Sequence, residues 1–219
     1  LEKENNFLSK VLDNYENPYL AVIGGAKVST KLELLTHINK VAENILVGGG
    51  IANTFICAAG YKVGMSLIED SMIDSAKKIL DEGKILLPKK VVTSDSFEGS
   101  NVKEKYIADI EDHEMILDLK IENETHTIIN SAKTILWNGP MGVFENELFE
   151  EGTKTLSQAI SKSSAFSIAG GGETLSAINK YINIDDVSYC STGGGAFLEF
   201  MEGKTLPSIK ALNAKNTEE

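Results

Sequence analysis

The chain reads as an α/β domain, a mostly parallel sheet flanked by helices. Three observations predict this. Short apolar runs recur along the sequence, a stretch with one-sided apolar spacing follows most of them, and glycines gather where the runs stop.

The apolar runs cover residues 19–23, 45–47, 91–93, 134–137, 165–169 and 187–190. Each is long enough for a strand buried on both faces, as parallel strands are. Amphipathic spacing marks helices over 31–41, 51–59, 68–80, 153–160 and 174–181, lengths that suit crossovers between parallel strands. Upstream, Phe7, Leu8, Val11, Leu12 and Tyr15 fall at helical spacing until Pro18 ends the pattern. With Leu1 in first place, this opening segment reads as the middle of a longer protein. Between 96 and 130 the periodicity weakens and charge accumulates, which predicts an irregular or edge-strand excursion. Residues 213–219 are polar and read as a frayed tail. No linker or repeat divides the remainder, so 18–212 is expected to form one domain.

Composition narrows the function. The net charge is −11, and all 21 cationic side chains are lysines because no arginine occurs. A nucleic-acid binder normally presents a basic face and uses arginine for bidentate contacts, so nucleic acid is excluded as a partner. No apolar run approaches the length of a membrane span. Two separated cysteines, Cys57 and Cys190, without metal-ligand spacing point to reduced thiols in a cytoplasmic protein. His37, His113 and His126 form no metal spacing and receive no role.

Thirteen of the 19 glycines lie in five clusters: Gly24 and Gly25; Gly48, Gly49 and Gly50; Gly139 and Gly142; Gly170, Gly171 and Gly172; Gly193, Gly194 and Gly195. In a parallel sheet the strand ends share one edge, so all five should converge where open α/β sheets bind ligands. Helices starting there would aim N–H groups and a partial positive charge at an anion. Neither G-x-x-x-x-G-K-[ST] nor a complete G-x-G-x-x-G occurs. Lys27 and Lys31 share one face of a helix starting near Val28, where a bound anion would offset their unfavourable placement against the helix dipole. Glu173, at another helix start, suits either the dipole or a hydrated Mg²⁺ on a nucleotide. Glu145 could accept hydrogen bonds from ribose hydroxyls.

The strings GGAKVSTKLELL, LVGGGIANTF, ILWNGPMGVFE, AGGGETLSAI and YCSTGGGAFLEFMEGKTLP, in this order, resemble phosphoglycerate kinase over essentially the whole chain. The resemblance implies the C-terminal lobe of a two-lobed kinase, a Rossmann-like three-layer sandwich that binds MgADP or MgATP. Residues 1–17 would then belong to the helix joining the lobes. By resemblance, Lys27 matches the lysine that stabilises the phosphoryl group in flight, with amides at Gly172 and Gly195 facing that group. Lys31 matches the lysine on the nucleotide phosphates. Gly25, Gly48, Gly49, Leu67, Leu117, Pro140 and Val143 match the surfaces around adenosine, Asn138 lies near the phosphates, and Glu145 matches the ribose contact. Gly171, Gly172, Glu173 and Thr174 match the turn on phosphate and metal, and Gly194 a second turn. The chain departs from the family at Glu173, where many relatives carry aspartate. It departs again after Asp118, where Leu119 and Lys120 replace a glycine and a slightly longer loop.

The implied reaction moves the acyl phosphate of 1,3-bisphosphoglycerate to ADP, giving ATP and 3-phosphoglycerate, in a monomeric parent enzyme. The sugar-acid site belongs to the other lobe, so this chain is expected to bind nucleotide and not to catalyse alone. Two rival readings are a dinucleotide-binding oxidoreductase module, which lacks its fingerprint here, and a non-catalytic interaction domain whose glycines are only turns.

Overall fold

A computed structural model describes residues 10, 11 and 13–191. Residues 10 and 11 are helical. Strand β1 (Tyr19–Gly24) leads into α1 (Val28–Ile38), β2 (Asn44–Gly48) into α2 (Gly49–Ala58) and then α3 (Ile73–Asp81), and β3 (Ile85–Leu86) closes this half. After β4 (Lys90–Ser94), β5 (Lys103–Tyr106) and β6 (Met115–Leu119) come α4 (Asn123–Ser131), β7 (Thr134–Asn138) and α5 (Glu151–Lys162). Strand β8 (Phe166–Gly170), α6 (Gly172–Tyr181) and β9 (Tyr189–Ser191) follow.

Six strands form one parallel sheet in the order β3-β2-β1-β7-β8-β9. From β1 the chain steps outward to β3, and from β7 it steps outward the other way to β9. Right-handed crossovers therefore place the helices of the two halves on opposite faces. The central strands β1 (YLAVIG) and β7 (TILWN) are buried at every residue, the continuous apolar pattern that two covered faces require. Trp137 is fully buried in this core, and its indole N–H donates to Gly139 O at 3.1 Å.

The run at 91–93 departs from expectation. It lies in β4, the middle strand of a separate antiparallel sheet, β5-β4-β6. The reason is the connection: residues 95–102 are rich in Ser, Gly and Asn and too short for the crossover that a parallel neighbour needs. The stretch 96–130, expected to be irregular or an edge strand, holds β5, β6 and α4. Strand β5 (KEKY) is an edge strand as expected, its charges guarding the open hydrogen-bonding side. Helix α4 (NETHTIINS) escaped the sequence pattern because its residues are poor helix formers and only Thr125 and Ile129, one turn apart, are buried. The helix expected over 68–80 begins as a 3₁₀ turn at Asp70–Met72 before α3.

Where β1 and β7 diverge, backbone meets backbone. A Cβ on Gly24 would stand 2.0 Å from Pro140 O, and one on Gly48 2.2 Å from the same oxygen. Gly139 adopts φ +109°, and a Cβ there would lie 2.2 Å from Gly24 O. No side chain can yield at these contacts. Gly24→Ala should therefore destabilise the fold by about 3 kcal/mol, in the range of overpacked cores, read as a lower urea midpoint at unchanged m-value; an unchanged midpoint would refute the close approach.

Candidate functional site

The C-terminal ends of β1, β2, β7 and β8 bring four of the five glycine clusters to one edge of the sheet. The fifth cluster, including the predicted site residues Gly194 and Gly195, lies outside the described residues. Two cavities open at this edge, each of 240 Å³. They flank the reversal of strand order between β1 and β7, the position where doubly wound sheets take ligands.

The first cavity is the more polar of the two. Gly25, Lys31, Asn138, Pro140, Gly171, Gly172, Glu173 and Thr174, all predicted site residues, line it together with Gly24, Ala26 and Gly139. Lys31 reaches back from α1 so that its Nζ donates to Gly24 O. Burial lowers its pKa to about 8, against the charge of Glu173 across the cavity, which acts to raise it. The site thus holds a cation short of counter-charge. Asn138 is buried; its Nδ2 donates to Gly170 O at 2.9 Å, while its Oδ1 has no hydrogen-bond partner. Thr174 Oγ1 accepts from Gly139 N at 2.8 Å and so ties the start of α6 to the β7 turn. Gly171, φ +97°, is the N-cap of α6, and no side chain caps the helix's first N–H groups.

The second cavity is an apolar cleft. Predicted Gly49, Leu67, Leu117 and Val143 line it with Gly50, Asn53, Met65, Phe97, Met115, Ile116, Asp118, Met141 and Gly142. Met65, Leu67 and Phe97 expose 66%, 61% and 58% of their surface, side chains that water should otherwise drive inward. A flat apolar ring would cover them. Backbone joins the two cavities: a Cβ on Gly49, φ +63°, would sit 2.8 Å from Gly25 O, and Pro140 and Met141 face one cavity each. A ligand with an apolar ring and an anionic tail fits across that seam.

Three predicted residues stand apart. Gly48 caps α2 and lines neither cavity, its role being the close contact with Pro140. Lys27 is exposed at the N-cap of α1, outside both linings. Glu145 is exposed two residues beyond Val143 and also lines neither. The start of α1, expected to aim its N–H groups at the ligand edge, is instead occupied by the Glu69 carboxylate, which accepts from Ser29 N at 2.9 Å. Sequence reasoning missed Met65, Phe97, Met115, Ile116 and Met141. They come from four segments; Ile116 beside predicted Leu117, Met141 beside predicted Pro140 and Met65 near predicted Leu67 offered a local signal, whereas Phe97 had none.

Asp118, also missed, closes one end of the cleft. Its carboxylate accepts from Leu119 N and, across to α5, from Gly152 N, each at 2.9 Å. Burial pushes its pKa up to about 7, and these two donors pull the other way. The folded chain therefore retains a proton between about pH 4 and 7 that the unfolded chain has lost, and stability from this group falls as pH rises through that window. Comparing urea midpoints, Asp118→Asn should lose more relative to the parent at pH 5 than at pH 8; an equal loss at both would contradict this titration.

Among the described residues, no group of three or more His, Cys, Asp or Glu is placed to hold a metal ion, and no helix is long and apolar enough to cross a membrane. The sequence model of the family described as phosphoglycerate kinase matches residues 1–204. Phosphoglycerate kinases of Psychrobacter sp. (strain PRwf-1) and Vibrio campbellii (strain ATCC BAA-1116) are 50% and 49% identical over 99% and 98% of the chain. The chain spans 57% and 56% of those proteins, little more than half their length. Among solved structures, phosphoglycerate kinase from Coxiella burnetii superposes with a TM-score of 0.92 at 43% identity, over 98% of this chain and 57% of that one. The Pyrococcus horikoshii OT3 enzyme gives 0.81 at 33% identity, over 97% and 56%. With the glycine-lined edge, the strand order and the family match in agreement along its length, the chain belongs to the phosphoglycerate kinase family.

Proposed function

We propose that this chain is the nucleotide-binding half of a phosphoglycerate kinase, a cytoplasmic glycolytic enzyme. Residues 18–212 form the nucleotide domain, and 1–17 belong to the segment that joins it to the other half. One observation carries the reading: an apolar cleft and a lysine-bearing polar cavity share a backbone seam at Gly25 and Gly49. The adenine ring packs on Leu67, Leu117 and Val143, and the phosphates extend to Lys31, Asn138 and the start of α6. Glu145, exposed two residues beyond Val143, is the ribose contact that the family resemblance implies.

The residues fit a nucleotide-borne Mg²⁺. Glu173 offers one carboxylate, and the unpartnered Asn138 Oδ1 can accept from a metal-bound water. Mg²⁺ retains waters and takes few protein ligands when phosphates supply the rest. Bound there, the ion neutralises charge on the phosphates.

In the whole enzyme, a terminal oxygen of ADP attacks the acyl phosphate of 1,3-bisphosphoglycerate. The bond from phosphorus to the carboxyl oxygen breaks, and the electron pair leaves with the 3-phosphoglycerate carboxylate. Because attacking and leaving groups are both anions, no general base is required. Alignment and charge neutralisation do the catalysis, supplied by Lys27 and by amides at Gly172 and Gly195. The sugar acid is held by the part of the relatives that this chain does not span, so the chain alone binds nucleotide without transferring phosphate.

Lys31 provides the test. An anion in the polar cavity returns its pKa toward the ordinary lysine range, so MgADP binding at pH 8.5 should take up a proton, seen by titration calorimetry in buffers of different ionisation enthalpy. Lys31→Met should abolish that uptake and weaken MgADP by at least about tenfold, as expected for a hydrogen bond to a charged group. Because the folded state lowers this lysine's pKa, its burial opposes folding below about pH 8, so the variant should fold no less stably at pH 7. Binding of MgADP with no proton uptake and unchanged affinity in the variant would remove Lys31 from the site.

A further inference from the structure

Helix α1 begins without a cap of its own. Lys27 stands at the N-cap with no side-chain cap bond, and the first turn contains no acidic residue. A carboxylate from far along the chain supplies both. Glu69 accepts from Ser29 N at 2.9 Å through Oε1 and from the Ser29 hydroxyl through Oε2. Partial burial acts to raise the Glu69 pKa, yet the bonds from Ser29, the nearby α1 backbone and the charge of Lys27 outweigh it and hold the carboxyl below its ordinary range.

The same residue is anchored on its other side. Glu69 N donates to Thr54 Oγ1 at 3.1 Å, and the Thr54 hydroxyl donates to Gly50 O at 2.9 Å. Two residues earlier, Leu67 O accepts from Asn53 Nδ2 at 3.1 Å. Gly50, Asn53 and Leu67 all line the apolar cleft. An unbroken series of hydrogen bonds thus runs from the cleft through Glu69 to the turn that carries Lys27.

We infer that Glu69 is the positioning residue of this site, holding the first turn of α1, and with it Lys27, in fixed relation to the cleft rim at Leu67. The inference rests on the nucleotide reading. Its physical basis is that helix starts fray when their N–H groups lack partners, and a lysine stem is flexible enough that only its backbone anchor can fix the ammonium. Loss of Glu69 should then weaken contacts to the distal phosphates and spare the base.

The test is titration calorimetry of the chain with adenosine, MgADP and MgATP, comparing wild type with Glu69→Ala, Glu69→Asp, Lys27→Met and the Glu69→Ala/Lys27→Met pair. Glu69→Ala is expected to weaken MgATP by about tenfold, the scale of a lost helix cap, MgADP by less, and adenosine within about twofold. Glu69→Asp, one methylene short, should fall between wild type and Glu69→Ala, and it carries the test if Glu69→Ala fails to fold. In the Lys27→Met background the effect of Glu69→Ala on MgATP should vanish, a coupling that general destabilisation does not produce. An equal loss for adenosine and MgATP, additive effects, or tighter MgATP binding would overturn the inference while leaving the nucleotide reading intact. Absence of any MgADP binding by wild type would overturn both.

Discussion

The contact on which the rest of the molecule depends is made by backbone alone. At the ends of β1 and β7, Gly24 and Gly139 approach so closely that neither admits a Cβ, and Gly48 meets the same Pro140 carbonyl from β2. This contact brings three strand ends together where the strand order reverses. It determines how the polar cavity and the apolar cleft share a wall. Thr174, donated to by Gly139 N, brings the start of α6 to the same point.

Around that point the charges are unequally provided for. The start of α1 takes the Glu69 carboxylate, whereas α6 starts at a glycine with no capping side chain. Lys31 is largely desolvated, with a backbone carbonyl as its hydrogen-bond partner and Glu173 as the nearby charge that favours its ammonium. A protein interior tolerates such an arrangement at a cost in stability, and these departures cluster where a ligand completes them. The apolar half shows the same incompleteness, with Met65, Leu67 and Phe97 exposed around a concave surface. In the function we propose, a nucleotide completes both.

Local pattern carried much of this. The buried strands β1, β2, β7 and β8 and the helices behind them follow from apolar runs and amphipathic spacing, because those periods are what two covered sheet faces impose. The misread run at 91–93 had the right local character for a strand. Its partners, Lys103–Tyr106 and Met115–Leu119, were fixed by a short loop and by pairing across it, which strand periodicity does not encode. Helix α4 was hidden for the complementary reason: packing of Thr125 and Ile129 overrides weak propensity.

By itself, the sequence determined the α/β class and the convergence of glycine turns on one edge, with Lys31 and Glu173 at helix starts there; Asn138, Gly171, Gly172 and Thr174 joined them as site residues only through the family resemblance. The class and the glycine edge follow from strand ends and helix starts, whose direction a parallel sheet dictates. Only the tertiary structure decided the apolar cleft, the buried carboxyl of Asp118 and the reach of Glu69 to α1. These depend on side chains from segments distant in sequence, such as Ser29 and Glu69 or Asp118 and Gly152. Their meeting is set by packing and hydrogen bonding across the fold, and no local period records it.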